Sequence, residues 1–277
     1  KEKQTLHYEE IYKIRNRERA FISSKFPLID SLGNLYAIGF MATDITERIE
    51  LENRKDEFIS MASHELKTPI TSIKVFTQIL QRQTKNTRID NSKLYLKRMD
   101  AQINRLSNLI NELLDVSRIQ SDKLMLNISK INLNKLVKES VENIQATTDS
   151  HKIIVRGSIK NKITADKDRI EQVLINLLTN AIKYSPKGKK VLLNIDDNKD
   201  KIMISIKDYG MGIPKKYQAK IFERFFRIDD ERHSASPGLG MGLFISKGII
   251  EKHKGKIWVE SKVNKGSTFH FILPKKA

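Results

Sequence analysis

Two stretches with helical heptad spacing constrain the fold of this chain most strongly. In the first, residues 46 to about 83, the seam positions are Phe58, Ala62, Leu66, Pro69, Ile73, Phe76 and Leu80. In the second, residues 91–120, they are Tyr95, Met99, Ile103, Leu106, Ile110, Leu113 and Ser117. Such three-four spacing puts residues on one stripe of a helix. Because two lone helices bury such stripes poorly, we expect a homodimer joined through a four-helix bundle.

The flanking sequence predicts further domains. Residues 1–45 resemble strands joined by turns, with clear strands at 20–28 and 36–45, and are too few for an independent domain. Beyond residue 121, strands are predicted at 124–133, 151–156, 162–165, 190–196, 202–207, 256–261 and 267–273. Helices are predicted at 134–146, 166–184 and 241–254. This mixture indicates an α+β sandwich with a largely antiparallel sheet, and we expect domains at 1–45, 46–122 and 123–277.

Composition excludes several classes of protein. The chain has 277 residues, 39% of them hydrophobic, and no cysteine, so disulfides and thiolate metal sites are excluded and a reducing compartment is expected. No run approaches the roughly 20 apolar residues of a membrane span. We therefore expect a cytoplasmic protein, or the cytoplasmic part of a membrane-anchored one whose remaining sequence would supply any membrane contact.

The net charge of +18 is the one compositional feature typical of nucleic-acid binding. The lysines are spread along the chain, and no basic block is interleaved with aromatic residues. A solvated lysine-rich surface explains this pattern better, so we expect no nucleic-acid partner. Such a surface would favour nucleoside triphosphates and acidic protein partners.

The heptapeptide 63–69 in the first helix has the sequence SHELKTP. His64 follows a seam position by two residues, about 200° around the helix, so its imidazole should point outward. Thr68 lies four residues on, on the same face. Pro69 cannot donate to the carbonyl of Glu65, and a bend is expected there. From these residues alone, His64 is either an ordinary surface histidine or an exposed reactive group.

A second polar pattern lies on the predicted helix 166–184. Asn176, Asn180, Lys183 and Tyr184 share one face, the last three at four, seven and eight residues beyond Asn176. An amide oxygen can ligate magnesium, a lysine can bind phosphate and an aromatic ring can cover a base. A solvated polar helix face is the alternative interpretation.

Two glycine-rich segments follow. The sequence DYGMGIP at 208–214 begins where a strand ends, and the Asp208 carboxylate there could accept a hydrogen bond from an exocyclic amine such as that of adenine. An ordinary Asp-Gly turn is the alternative. The sequence GLGMG at 238–242 directly precedes a helix, which directs free N–H groups toward an anion. Since no strand of a βαβ unit precedes it, a dinucleotide fingerprint is not indicated.

Taken in order, these segments resemble the sensor histidine kinases. SHELKTP is similar throughout to their phosphoacceptor box, Ser-His-Glu-Leu-(Arg/Lys)-Thr-Pro. The N, G1, F, G2 and final boxes of their ATPase domain, a member of the GHKL superfamily, resemble DRIEQVLINLLTNAIKYSP, DYGMGIP, FERFFRID, GLGMGL and KGSTFHFILP. This resemblance covers residues 48 to 277. The segment DSLGNLYAIGFMATDITER is similar to the closing hairpin of a PAS sensor domain.

The resemblance implies a reaction and a set of roles. His64 would be autophosphorylated from ATP, with Glu65 as general base, and the phosphoryl group would pass to an aspartate of a response regulator. Thr68 would orient water in a phosphatase reaction on that partner. The cofactors would be ATP and Mg²⁺, with Asn176 as metal ligand.

The remaining nucleotide-binding roles implied by the resemblance fall on five segments. Asn180 and Lys183 would lie near the phosphates, Tyr184 over the adenine, and Asp208 at its amino group. The others are Gly210 and Gly212 in the base pocket, Arg227 near the γ-phosphate, Gly238, Gly240 and Gly242 as hinges of a lid at 228–237, and Thr268 beside the adenine.

Two other functions compete with this one. A GHKL ATPase of the chaperone or DNA-repair type would use ATP to close a dimer, but such proteins lack the acceptor box. A non-enzymatic signalling scaffold would not need the glycine boxes or the paired asparagines. The sequence leaves open the stimulus, the cognate regulator, and whether phosphorylation occurs within one protomer or across the dimer.

Overall fold

The computed structural model describes residues 4–14, 17–85, 91–186, 188–228 and 239–275. The chain divides into two compact units, Lys1–Met61 and Ala62–Ala277. The boundary falls inside the first long helix, so that helix contributes to both.

The N-terminal unit is built on an antiparallel sheet. Its strands are β1 (Leu6–Ile14), β2 (Arg17–Ile29) and β3 (Leu35–Asp44), in that order. Asp30 accepts hydrogen bonds from the backbone of Leu32 and Asn34 in the turn between β2 and β3. Both predicted strands are present, and β1 is an additional one. Many apolar side chains of the N-terminal unit are exposed, including Ile11, Leu32 and Ile38.

The heptad stretches form two long helices, as predicted: α1 (Thr46–Lys85) and α2 (Ser92–Gln120). Helix α1 continues through Pro69, which is buried. The Thr68 hydroxyl donates to the His64 carbonyl at 3.0 Å, one turn back, an arrangement that tends to bend helices. The bend expected at Pro69 stays a prediction.

The apolar residues of α2 divide between two neighbouring stripes. Leu109 and Val116 are buried within the chain, whereas Ile103 and Ile110 of the predicted seam are 47% and 45% exposed. Heptad spacing alone does not distinguish these stripes, because residues one position apart lie only 100° apart on a helix. The outward stripe therefore leaves apolar surface exposed on α2.

The rest of the second unit is an α+β sandwich, as predicted. Its five-stranded sheet has the order β5-β7-β8-β10-β9, with β5 and β7 parallel and the other pairs antiparallel. The strands are β5 (Lys152–Arg156), β7 (Lys190–Asp197), β8 (Lys201–Lys207), β9 (Lys256–Lys262) and β10 (Gly266–Pro274). A separate short pair consists of β4 (Ser129–Ile131) and β6 (Ile163–Ala165).

Three helices pack beside one another and against the sheet: α3 (Leu133–Gln145), α4 (Lys167–Lys183) and α5 (Gly242–Lys252). Alternate residues of the strands meet them, so Ile204, Ile206 and Phe271 are fully buried. Short 3₁₀ turns at Lys215–Tyr217 and Lys220–Phe222 precede the segment that leads to α5.

One strand prediction was too long. Residues 124–133 were expected to form a strand, but only Ser129–Ile131 pairs, because its partner β6 is equally short. Before it, the Asn127 N–H donates to the Asp166 carboxylate at 2.7 Å. A side chain thus replaces a neighbouring strand as the acceptor there.

Candidate active site

Helix α4 separates a buried stripe from a polar face. Asp166 caps its start by accepting the Arg169 N–H at 3.1 Å. The apolar residues Ile170, Val173, Leu174, Leu177, Leu178 and Ala181 are buried. Because this stripe fixes the rotation of the helix, its polar residues face a cavity between α4, the end of β8 and the start of α5.

Asn176 is held in one orientation at the centre of that face. Its Nδ2 donates to Ser246 Oγ of α5 at 2.8 Å, and its Oδ1 accepts from Asn180 Nδ2 at 3.2 Å. Gly242 lies directly against this oxygen, leaving no room for a side chain. The side-chain oxygen of Asn176 is therefore directed to the start of α5, where an anion would bind.

Asp208 ends β8 as a buried carboxylate, 3% exposed. Its Oδ1 accepts the backbone N–H groups of Gly210 at 2.8 Å and Ser267 at 3.1 Å. Burial raises the pKa of this carboxyl, and the two N–H donors oppose that effect. Both of these hydrogen bonds go to Oδ1.

The glycines near Asp208 lie where two backbone segments come close together. A side chain at Gly210 would overlap the backbone carbonyl oxygen of Tyr184, and Gly212 has a φ of +68°. These two glycines thus let the 208–214 turn lie against the end of α4 and the β9–β10 turn. Gly210 itself is not on the cavity wall, whereas Gly212 is.

Helix α5 starts without a side-chain cap among the described residues. Its first residues, Gly242 and Leu243, line the cavity, so uncapped N–H groups and the positive end of the helix dipole face the open space. Gly240 has a φ of +70° and lies beside the Arg227 side chain. Gly238 and most of the predicted lid, residues 229–237, lie outside the described residues.

The cavity brings together most of the predicted nucleotide-binding residues. They are Asn176, Asn180, Lys183, Tyr184, Asp208, Gly212, Arg227, Gly240 and Gly242. Thr268 is not on its wall; its neighbours Ser267 and Phe269 are. Strand alternation explains this difference, since residues 267 and 269 of β10 face one side of the sheet and 268 faces the other.

Sequence analysis missed the apolar part of the wall and one acid. The apolar residues are Met211, Ile213, Ile221, Phe226, Ile228, Leu239, Met241, Leu243 and Phe269, and the acid is Glu112 of α2. The period-two pattern of β10 could have indicated Phe269. Nothing in the sequence places Glu112 there, because that requires knowing how α2 packs on the sandwich. Burial raises the pKa of Glu112, and the nearby negative charge of Asp115 raises it further.

Two groups at the phosphate end have shifted pKa values. Burial lowers the pKa of Lys183, Arg227 lowers it further, and the Glu65 carboxylate acts in the opposite direction. Burial raises the pKa of Tyr184, because it disfavours the phenolate. The Tyr184 ring lies 5.1 Å from the Lys183 ammonium. Two cations beside uncapped helix N–H groups form a site for a polyanion.

The histidine segment lies on α1. The His64 side chain is 78% exposed, as expected for a phosphoacceptor, whereas that of Glu65 is 15% exposed. His64 Nδ1 and Glu65 Oε1 are 3.9 Å apart, and Glu65 Oε2 accepts from Arg105 Nη2 of α2 at 2.7 Å. Sequence analysis did not identify Arg105.

Comparison with known proteins gives the family. Residues 54–122 match the His Kinase A (phospho-acceptor) domain, and residues 165–277 match the histidine kinase-, DNA gyrase B- and HSP90-like ATPase domain. The chain is 30% identical over 267 residues to the sensor-like histidine kinase SenX3 of Mycolicibacterium smegmatis, covering 95% of this chain and 69% of SenX3. The chain belongs to the sensor histidine kinases. The segment that matches the ATPase domain contains the cavity residues Asn176, Asp208 and Gly242.

Other relatives agree. The sensor histidine kinase WalK of Bacillus subtilis is 34% identical over 237 residues, covering 84% of this chain and 39% of WalK. The histidine kinase ThkA, solved in complex with the response regulator protein TrrA, matches with a TM-score of 0.50 and 27% identity over 97% of this chain and 78% of that one. The chain spans about two fifths of the length of several curated relatives that it matches.

The described residues contain no cluster of three or more histidine, cysteine or acidic side chains suited to a metal. The Asn176 oxygen fits a divalent cation, since Mg²⁺ favours oxygen ligands and is commonly held by few protein groups plus substrate phosphates. Within the described part of the chain, no helix combines the length and hydropathy of a membrane span.

Proposed function

We propose that this chain phosphorylates its own His64 from ATP and passes the phosphoryl group to an aspartate of a response regulator. The observation that carries the proposal is the cavity that joins Asn176, Asp208 and the glycine start of α5, within the same compact unit as the exposed His64. Neither a scaffold nor a clamp-type ATPase has use for both features.

The cavity wall suits each part of ATP. Asp208 Oδ2 would accept from the adenine amino group, and the apolar residues around Met211 and Phe269 would cover the base. Asn180, Lys183 and Arg227 would bind the phosphates, supported by the first N–H groups of α5. Thr268 can contribute only through its backbone or through a movement of β10.

Magnesium would be held by the Asn176 oxygen together with phosphate oxygens. It would supply charge neutralisation along the triphosphate. The chain's own part is to keep that amide fixed through Ser246 and Asn180.

The chemistry at His64 is an in-line displacement. The His64 Nε2 lone pair would attack the γ-phosphorus, and the bond from that phosphorus to the β–γ bridging oxygen would break, with its electron pair leaving on ADP. Glu65 Oε1 would take the Nδ1 proton. Arg227 and Lys183 would stabilise the charge that develops on the phosphoryl oxygens.

A response regulator is the partner best supported, because a relative has been solved with one. The exposed surface of the helices around His64 is the expected docking site. We also propose phosphatase activity on that partner, with Thr68 orienting water. For this the Thr68 hydroxyl would have to leave the His64 carbonyl, to which it donates.

A homodimer is supported by the match to the phosphoacceptor domain, a type that dimerises, and by the outward apolar residues of α2, Leu96, Ile103, Ile110 and Leu114. The strands of the N-terminal unit fit the end of a PAS domain. A cytoplasmic site of action fits a nucleotide-dependent reaction and a regulator partner.

The test is incubation with γ-labelled ATP and magnesium. Wild type should acquire acid-labile, base-stable label, His64→Ala should acquire none while still binding ATP, and His270→Gln should label normally. Label that survives in His64→Ala would disprove the acceptor. Absence of label with steady ATP hydrolysis would favour a GHKL ATPase of another type, and absence of ATP binding would favour a scaffold.

A further inference from the structure

We propose that Arg105 is the positioning residue for the base Glu65, and that it is needed for phosphorylation of His64. This inference rests on the proposed function. Arg105 lies on α2, forty residues along the chain from Glu65, and neither the acceptor segment nor the nucleotide cavity includes it.

The two oxygens of Glu65 have different neighbours. Oε2 accepts from Arg105 Nη2 at 2.7 Å, whereas Oε1 lies 3.9 Å from His64 Nδ1. A distance of 2.7 Å is typical of a strong charge-assisted hydrogen bond. Arg105 therefore fixes the carboxylate through one oxygen and leaves the other directed to the imidazole.

Burial makes this contact consequential. The Glu65 side chain is only 15% exposed, against 43% for Arg105 and 78% for His64. A carboxylate shielded from water without a partner would change rotamer and leave this position. That change would remove the base from His64.

The proton-transfer distance sets the expected size of the effect. A base works at about 2.6–3.2 Å, and contacts often tighten when substrate binds. The 3.9 Å separation needs only a small further closure. Loss of the base should cost on the order of 100-fold in rate. Loss of its orienting partner should cost about 10-fold, by analogy with the partners that orient metal ligands.

The experiment is a double-mutant cycle in the dimeric chain, with single-turnover labelling of His64 as the readout. Arg105→Gln should lower the phosphorylation rate about 10-fold, with an unchanged dissociation constant for a non-hydrolysable ATP analogue. Arg105→Lys should recover part of that loss. In the Glu65→Gln background, Arg105→Gln should have no further effect.

Arg98→Gln is the matched control, since Arg98 is an exposed arginine on the same helix; it should label at the wild-type rate. Equal rates for wild type and Arg105→Gln would overturn the inference while leaving the proposed function intact. So would a 10-fold loss that persists in the Glu65→Gln background, because Arg105 would then act independently of Glu65. An unlabelled wild type would instead contradict the proposed function.

Discussion

Gly242 and Asn176 lie so close together that a Cβ on the glycine would overlap the side-chain oxygen of the asparagine. In Gly242→Ala the amide must turn away and lose its bonds to Ser246 and Asn180. Because the oxygen proposed to ligate magnesium would be displaced, we expect ATP–Mg²⁺ affinity to fall about 10-fold, as when the partners that orient a metal ligand are removed. Isothermal titration calorimetry with and without magnesium would measure this.

In Gly242→Ala, the free energy of unfolding should change much less than the affinity for ATP–Mg²⁺. Alanine favours a helix over glycine by about 1 kcal/mol, which offsets part of the cost of turning a flexible side chain. Gly210→Ala provides the contrast, because its Cβ would meet the Tyr184 backbone, so its melting temperature should drop clearly. Equal melting temperatures for the two variants, or unchanged ATP affinity in Gly242→Ala, would contradict this account.

Asp208 is predicted to select adenine through Oδ2. Asp208→Asn keeps the shape, and its amide oxygen can still accept the N–H groups of Gly210 and Ser267. The amide nitrogen would then oppose the adenine amino group. ATP affinity should fall by roughly 10- to 100-fold, the value of a hydrogen bond to a charged group, about 1.5–3 kcal/mol.

Binding of ATP and GTP by wild type and Asp208→Asn would check this. The preference for ATP over GTP should shrink in the variant, because guanine carries a carbonyl where adenine carries the amine. Ser205→Ala serves as a control within β8, since its hydroxyl contacts His270 and lies outside the cavity. A preference for ATP that is unchanged in Asp208→Asn would show that another group reads the base.

Local patterns in the sequence predicted the elements well, and the reason is physical. Heptad stripes and period-two strands are set by burial on one face, so α4 and β8 begin and end within about two residues of their expected positions. The cavity residues on one element, such as Asn176 and Asn180, followed from helical spacing alone.

Relationships between distant elements could not be predicted. Arg105 meets Glu65, and Glu112 reaches the cavity wall, only because α2 has a particular rotation and packs on the sandwich at a particular place. The same is true of Asp115, which bonds to α4. A heptad pattern restricts rotation to a stripe but leaves the register of the pairing open. The same limit applies to β10, where Ser267 lies on the cavity wall and the predicted Thr268 does not.

Asp115 and Arg169 join α2 to α4. Asp115 Oδ2 accepts from Arg169 Nη1 at 2.6 Å and from Gln172 Nε2 at 2.9 Å, with an Asp115 side chain only 6% exposed. Arg169→Gln leaves that carboxylate buried without its cation. We expect a loss of about 3–5 kcal/mol in the free energy of unfolding, measured by urea denaturation.

The double variant Asp115→Leu, Arg169→Leu should lose less than Arg169→Gln, because no charge is then left unpaired. Lys252→Gln is the control for charge alone. It removes an ion pair with Asp122, whose side chain is 86% exposed, so the loss should stay within about 1 kcal/mol. If the single and double variants are equally unstable, the pair contributes through packing and not through charge.

His270 should make the protein less stable in acid. Its ring stacks on Trp258, with centroids 5.0 Å apart, and bonds to Ser205 Oγ through Nδ1. Burial lowers the pKa of His270 from its ordinary 6.5, while Glu260 and Asp196 act in the opposite direction. A depressed folded-state pKa means that the stabilising contribution is present above pH 6.5 and is lost as the pH falls through the folded-state value. Thermal unfolding at pH 7.5 and 5.5 should therefore show a smaller acid-induced drop in melting temperature for His270→Gln than for wild type.

Glu260 supplies a control that works in the other direction. Its Oε2 lies 3.9 Å from His270 Nε2, and its charge favours the protonated ring. Glu260→Gln should therefore depress the pKa of His270 further and enlarge the loss of stability in acid. Because the Glu260 side chain is 72% exposed, this change should be small and should vanish in high salt. If Glu260→Gln reduced the acid-induced loss, the sign would be wrong and His270 would not be the group responsible.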